Sequence, residues 1–160
     1  MRLVWTYISA ILVLSLVTFA ALAEVPANKG RITDYSSILT KEQIQTLASK
    51  MKVDGVSGVS TTAVLIVDSL DGQPPEEYAS DVFHAWGLGK KQDAYGLLLV
   101  IAVKDRKVRI QTGYSSENKI VDIQANRIYL AMVPYLKNGK WYDAIDLFID
   151  QSSQLMRKKD

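Results

Sequence analysis

The chain has 160 residues, with 19 basic and 17 acidic side chains, a single histidine and no cysteine. A charge so close to balance gives no electrostatic reason to expect binding to nucleic acid or to an anionic membrane. The absence of cysteine excludes disulfides, thiolate zinc sites and thiol catalysis, and one histidine excludes a histidine-rich metal site.

The first 23 residues have the pattern of a secretory signal peptide. One early arginine precedes an apolar run that ends at Ala21-Leu22-Ala23, where small residues flank the cleavage position. We predict cleavage after Ala23 and a periplasmic or secreted location, with no membrane span in the mature chain. The alternative is an uncleaved N-terminal membrane anchor, because the run approaches the roughly 20 apolar residues that a span needs.

Residues 24–160 contain no repeat, low-complexity tract or Pro/Gly-rich linker, so we predict a single domain. Thr40 and Gln43 form a capping box at the start of a first helix. Its apolar face follows at helical spacing: Ile44, Leu47, Ala48 and Met51. Residues 61–68, TTAVLIVD, then form a continuous apolar run, which is typical of a strand buried on both faces.

A second helix and a second buried strand complete a βαβ unit. The two prolines of DGQPP lie where the first turn of a helix does not need their missing N–H groups, and Gly87 ends that helix. Its apolar face consists of Tyr78, Ala79, Val82, Phe83 and Trp86. Because the segment YGLLLVIAV follows as a strand, we predict that the two strands are parallel, with a right-handed crossover.

The remaining elements are a hairpin strand and two helices. After the polar turn 104–106, Val108, Ile110 and Thr112 alternate with Lys107, Arg109 and Gln111, which predicts a half-exposed antiparallel strand. A helix from Asp122 is expected to kink or restart at Pro134 and to end at Asn138-Gly139, before a last helix. The sum is an α/β fold, a three-layer sandwich with a small mixed β-sheet and helices on both faces.

The order of these elements resembles the TPM domain family, which includes a thylakoid acid phosphatase, photosystem II repair proteins and many exported bacterial proteins. The resemblance rests on the segments VPANKGRITDYSSILT, FHAWGLGKK, YGLLLVIAVKDRKVRI and GYSSE and covers residues 25–155. It implies an α/β sandwich, divalent-metal binding and, in some members, phosphatase activity.

Several acidic positions of the family pattern are replaced in this chain. The family's Asp-Asn-Gly reads Ala94-Tyr95-Gly96 here, with Asp93 one position early, and its strand glutamate is Gln111. The positions that match are Asp34, Asp105, Glu117, Asp122 and the turn Trp86-Gly87-Leu88-Gly89. Because fewer charged ligands bind a cation less tightly, we predict at most a weak metal site.

The first candidate site lies at the end of the sheet where the third strand finishes. Carboxylate oxygens are the ligands that Ca²⁺ and Mg²⁺ prefer, and the candidate ligands are Glu117, Asp122, Asp93 and Asp34, the last if the N-terminal segment folds over that end. The residues expected to shape the site are Trp86, Gly87, Gly89, Gly113 and Tyr114. The alternative is that Asp122 caps its helix, Glu117 favours the helix N-terminus and Asp93 is a solvated loop residue.

The second candidate cluster lies at the opposite end of the sheet. Asp68 and Asp105 follow the two parallel strands, where open α/β sheets usually bind their ligands. The functional interpretation is a carboxylate pair for acid–base or phosphoryl chemistry. The alternative is turn formation, since Asp71-Gly72 is a common turn pair and Asp105 lies in a hairpin connection.

The sequence therefore predicts an exported accessory or interaction domain of the cell envelope, whose partner is an unknown envelope protein. Two alternatives stay open. One is a metal-dependent acid phosphatase at the Glu117 end, and the other is an N-terminally anchored membrane scaffold.

Overall fold

The structure is a computed structural model that describes residues 25–54, 60–89, 95–113 and 122–157. The elements in chain order are β1 (Ile32–Asp34), α1 (Lys41–Asp54), β2 (Ser60–Val67), α2 (Pro75–Ala85), β3 (Tyr95–Ala102), β4 (Lys107–Thr112), α3 (Asp122–Lys137) and α4 (Trp141–Arg157). All of these except β1 were predicted from the sequence.

The four strands of the described ranges form one sheet in the order β1-β2-β3-β4. β2 is parallel to both β1 and β3, whereas β4 is antiparallel to β3. The parallel pair of the βαβ unit and the antiparallel hairpin strand are confirmed, and so is the α/β sandwich. The unpredicted strand β1 has three residues, Ile32–Asp34, which pair with Val64–Ile66; such a short strand is defined by its partner and shows no alternation of its own.

The sheet buries both of its faces because β2 and β3 are apolar at almost every position. One face packs against α1, α3 and α4, and the other packs against α2. The first face carries Val64, Ile66, Leu97, Leu99, Ile101 and Ile110. The second carries Ala63, Leu65, Val67, Leu98, Val100 and Ala102. The predicted three layers are therefore present.

The segment before β1 is also tied to the domain. The indole Nε1 of Trp86 donates a hydrogen bond to the carbonyl oxygen of Pro26 (2.8 Å), and the Tyr35 hydroxyl donates to that of Ala27 (2.9 Å). Val25 packs against the α2 face of the sheet. The predictions for residues 1–23, a signal peptide or an anchor, lie outside the described residues. Within the described ranges, no helix is long and apolar enough to cross a membrane.

Local signals set most helix ends. The capping box is confirmed, because the Thr40 N–H donates to Gln43 Oε1 (2.9 Å) and the Gln43 N–H donates to Thr40 Oγ1 (3.2 Å). Gly87, at φ 64°, follows the end of α2 as expected. The expected restart at Pro134 is wrong, because α3 continues through this proline to Lys137. The C-terminal turn gains a side-chain bond there, from Asn138 Nδ2 to the Pro134 carbonyl oxygen (2.7 Å).

One ion-pair group joins α1 to α4. The Lys50 ammonium lies 2.6 Å from Asp146 Oδ1 and 2.7 Å from Asp150 Oδ1, which are one turn apart on α4. Partial burial acts to lower the pKa of Lys50, but the hydrogen bonds and charges of Asp146 and Asp150 outweigh it and raise that pKa above its ordinary value of 10.5.

We expect Lys50→Met to lower the free energy of unfolding by about 1 kcal/mol, because it leaves two carboxylates facing each other without a cation. The corresponding fall in melting temperature is about 3 to 5 °C. Since the pKa of Lys50 is raised on folding, its contribution is present below pH 10.5 and is lost as the pH rises beyond the folded-state pKa.

Thermal unfolding monitored by circular dichroism between pH 7 and pH 11 would measure both effects. The control is Lys137→Met, since Lys137 is an exposed helical lysine that forms no ion pair with any other described residue. Equal destabilisation by Lys50→Met and Lys137→Met would contradict the stabilising role of the Lys50 ion pairs. So would a difference in stability between the two variants that persists above the folded-state pKa of Lys50.

Candidate functional site

The predicted metal ligands are not brought together in the described part of the chain. Asp93 and Glu117, with the neighbouring Tyr114, lie outside the described residues, and Asp122 is described only as the first residue of α3. Asp34 lies at the carboxyl end of β1, where it pairs with Ile66. Because β1, β2 and β3 are parallel, this end is the one that Asp68 and Asp105 follow, which corrects the grouping of Asp34 with the Glu117 end.

Asp34 organises the connection from β1 to α1. Its carboxylate accepts hydrogen bonds from the backbone N–H groups of Ser36 (3.0 Å) and Leu39 (2.9 Å). These two bonds use one oxygen each and hold the turn that leads to the capping box of α1. The position of Asp34 is therefore explained by the backbone that it supports.

Asp105 performs a similar task for the loop after β2. Its carboxylate accepts a bond from the Leu70 N–H (2.7 Å) and lies 3.1 and 3.2 Å from the hydroxyl of Ser69. The hairpin turn between β3 and β4 is thereby fastened to the loop that precedes α2. A carboxylate that accepts a backbone N–H at this distance forms a charge-assisted bond, which is stronger than a neutral one.

Asp68 is exposed and paired with a cation. Its Oδ2 lies 2.6 Å from the ammonium of Lys104, and its side chain is 54% exposed. The hydrogen bond from Lys104 is the largest cause that lowers the pKa of Asp68. The same pair raises the pKa of Lys104. An exposed pair of this kind contributes little to stability.

The backbone at this end of the sheet supports the turn interpretation of the acids. Among the described residues, the non-glycine residues with positive φ are Ser37 (54°), Asp71 (50°) and Arg106 (53°), one in each connection that follows β1, β2 and β3. Such angles are uncommon for residues with a side chain. The described ranges contain no group of three or more histidine, aspartate or glutamate side chains that could hold a metal ion.

Gly113, one of the glycines expected to shape a site, and Gly96 both lie against one aromatic ring. A Cβ atom on Gly96 would lie 2.4 Å from Cζ of Phe83 and 3.0 Å from the backbone nitrogen of Gly89, and a Cβ on Gly113 would lie 2.9 Å from the same Cζ. Gly89 and Gly113 therefore both lie beside Gly96, next to a buried ring that the sequence interpretation placed on a helical stripe only. The room they leave is filled by Phe83, so this end of the sheet is packed by side chains of its own.

The described surface has a groove of about 790 Å³ along the edge strand β4. Its floor is the strand itself with the preceding residue, 106–112. One wall is the first turn of α2, with Pro75 and Glu76, and the other wall is α3, with Ala125, Asn126 and Tyr129. We call this opening the β4 groove.

The β4 groove carries more positive than negative charge. Arg106, Lys107 and Arg109 line it, and Glu76 is the acidic residue among the lining side chains. Glu76 Oε1 lies 3.5 Å from an Arg109 guanidinium nitrogen, and Nε of Arg109 is buried without a hydrogen-bond partner among the described residues. Among the described residues, the other two cationic side chains of the groove, Arg106 and Lys107, form no ion pair.

The floor of the groove presents backbone groups that β3 does not use. The Gly113 N–H donates to the Gly96 carbonyl (3.0 Å), so hydrogen-bonded pairs recur at every second residue of the antiparallel ladder. By this alternation Val108, Ile110 and Thr112 direct their N–H and C=O groups away from β3. The Thr112 carbonyl confirms the direction, because it accepts a bond from Nε2 of Gln111 (3.1 Å) instead of from β3.

The β4 groove was not predicted from the sequence. The alternation of Lys107, Arg109 and Gln111 was interpreted as a solvated strand face. The signal that could have found the groove is the order of the elements: no strand was predicted after β4, so a basic strand had to lie at an open edge.

These features define an α/β sandwich domain with a mixed sheet, structural acids at the carboxyl ends of its parallel strands and an open basic edge. A sequence profile of the TPM domain family matches residues 32–155. The chain therefore belongs to the TPM domain family, as the sequence resemblance predicted.

Solved structures share the fold. The N-terminal domain of a protein from P. gingivalis is 25% identical, with a TM-score of 0.73 over 82% of this chain and 88% of that one. The N-terminal domain of the cg2496 protein from Corynebacterium glutamicum is 19% identical, with a TM-score of 0.63 over 83% and 84% of the two chains. The BA42 protein from Bizionia argentinensis is 17% identical, with a TM-score of 0.62 over 77% and 84%. A search of curated proteins found no match.

The structural role of Asp105 leads to a testable contrast with Asp68. We expect Asp105→Asn to lower the free energy of unfolding by about 1 to 2 kcal/mol, because it weakens a charge-assisted bond to a backbone N–H. Asp68→Asn should leave the melting temperature nearly unchanged, since that carboxylate is more than half exposed. Urea unfolding of both variants measures the difference. Equal stability of Asp105→Asn and the parent chain would contradict the structural role and return Asp105 to the candidate functional residues.

Proposed function

We propose that this chain is an exported accessory domain of the cell envelope that binds another envelope protein through the β4 groove. The observation that carries the proposal is the combination of an open sheet edge and unmatched positive charge in one groove. Partner recognition by exposed sheet edges is a recurrent binding mode. The signal-peptide pattern of residues 1–23 supports export.

The surface around the groove supports a binding role. Among the described large apolar side chains, those classed as exposed are Tyr35, Ile123, Tyr129 and Leu130, and three of these four belong to α3, which forms one wall of the groove. Ile123 is 66% exposed and Leu130 is 57% exposed. Tyr129 lines the groove, and Ile123 and Leu130 are exposed elsewhere on the same helix. Exposed apolar side chains of this kind are typical of surfaces that contact proteins.

Site-specific photocrosslinking in living cells tests this proposal. A photoreactive phenylalanine derivative at Tyr129, inside the groove, should give one defined adduct with an envelope protein. The matched control is the same substitution at Tyr35, which does not line the groove. The two side chains are similarly accessible, since Tyr35 is 40% exposed and Tyr129 is 38% exposed. Export further predicts that the chain in the adduct begins at Glu24, which mass spectrometry would show. Equal crosslinking at both positions, or none at Tyr129, would contradict the role of the groove.

A divalent cation at Glu117, Asp122 and Asp93 remains part of the proposal. Carboxylate oxygens suit Ca²⁺ and Mg²⁺, and the replacement of family acids at Ala94 and Gln111 argues for weak affinity. The site would hold an ion beside the start of α3, which forms one wall of the groove. Its contribution would then be to order that region for binding.

Melting temperatures in chelator and in millimolar calcium or magnesium measure cation binding. Free ion at 100 times its dissociation constant should stabilise the fold by about 2.7 kcal/mol, and Glu117→Gln should remove that gain. Asp34→Asn is the matched control, because Asp34 lies at the carboxyl end of β1. The ion should still raise the melting temperature of this variant. If no ion stabilises the chain, the cation site fails. If phosphate release requires both metal and Glu117, the acid phosphatase alternative replaces the binding role.

A further inference from the structure

The edge of β4 has the geometry of a template for one more strand. The backbone groups of Val108, Ile110 and Thr112 face away from β3, and among the described residues no strand lies beyond β4 in the sheet. The walls of the groove belong to opposite faces of the sheet, since α2 packs on one face and α3 on the other. An extended peptide can therefore pair with β4 without displacing a described element.

We propose that β4 binds an extended acidic segment of the partner protein as a fifth strand of the sheet. This inference rests on the proposed function and names the chemistry that the groove recognises. Main-chain hydrogen bonds supply affinity in strand addition, whereas pockets for alternate side chains supply specificity. Charge complementarity determines the occupant, since Arg106, Lys107 and Arg109 face a single glutamate in the lining of the groove.

The register of the sheet predicts the pattern of the bound segment. Arg109 is paired with Val100, whose side chain packs on the α2 face, whereas Ile110 is paired with Leu99 of the opposite face. Side chains of a strand alternate between faces, so every second residue of the added strand lies beside Lys107 and Arg109. The residues between them lie beside Val108 and Tyr129. The preferred ligand therefore alternates acidic and apolar residues.

The same charges argue against a second copy of this chain as the occupant. Basic side chains on an edge strand oppose pairing between identical edges, which is how many proteins prevent sheet-to-sheet aggregation. Two β4 strands placed side by side would bring Lys107 and Arg109 of both copies together. An acidic strand gains from those charges, whereas a second basic strand is repelled by them.

Fluorescence anisotropy with labelled synthetic peptides tests the inference on the full-length chain. The probe is a short acetylated and amidated peptide in which glutamate and valine alternate. We compare it with a peptide of the same composition in two blocks and with one in which lysine replaces glutamate. The alternating acidic peptide should bind about tenfold more tightly than either comparison, because only it satisfies charge and side-chain alternation together.

Two variants locate the binding at the edge. Thr112→Pro removes an N–H that points away from β3, a position where an edge strand tolerates proline, and Lys107→Glu reverses one exposed charge of the groove. Each variant should weaken the binding of the alternating acidic peptide about tenfold. Lys41→Glu makes the same change of net charge at the start of α1, which packs against the opposite face of the sheet from Lys107, and should not weaken binding. Circular dichroism shows whether Thr112→Pro folds. If that variant does not fold, Lys107→Glu alone provides the test.

Each of the following results would overturn the inference. One is equal binding of the alternating and block peptides, which would mean that charge alone attracts them. Another is tight binding that neither variant weakens. A third is a dimer in sedimentation that Thr112→Pro abolishes, which would make a second copy the occupant. A partner crosslinked at Tyr129 together with no peptide binding would refute strand addition and leave the proposed function standing, whereas absence of the crosslink would refute the proposed function itself.

Discussion

The burial of β2 and β3 on both faces is the constraint on which the rest of the fold depends. Because nearly every side chain of these strands is apolar, each face of the sheet must be covered, and a single layer of helices cannot cover both. Helices α1, α3 and α4 cover one face. The other face is covered by α2 and by the N-terminal segment that Trp86 holds through Pro26. With both faces used for stability, the surfaces left for function are the ends and edges of the sheet.

The two ends of the sheet are occupied largely by structural needs. At the carboxyl ends of the parallel strands, Asp34 and Asp105 accept backbone N–H groups and fix the connections that follow β1 and β3. Towards the other end, Gly96 and Gly113 leave room for Phe83. The resemblance of these segments to the family pattern is therefore explained in part by packing and turn formation. Glu117 and Asp93 lie outside the described residues and stay with the proposed cation site.

Local patterns predicted the parts of the fold that depend on neighbouring residues. The capping box at Thr40, the βαβ unit and the alternating strand β4 are all encoded within a few residues of where they form. β1 was missed because its three residues owe their conformation to pairing with Val64–Ile66, and Asp34 was misplaced for the same reason. The β4 groove could not be predicted because it depends on where α2 and α3 stand relative to β4, which only tertiary packing decides.

The side chain of Gln111 affects the charge of the β4 groove, which it lines. The sequence resemblance implies a glutamate at this position, and a second carboxylate in the lining of the groove, in addition to Glu76, would offset more of the charge of Lys107 and Arg109. Glutamine removes that negative charge, and its amide donates to the Thr112 carbonyl, a bond that a carboxylate could not make because it has no donor. The substitution therefore weakens the case for a cation at this strand and leaves the groove more positive.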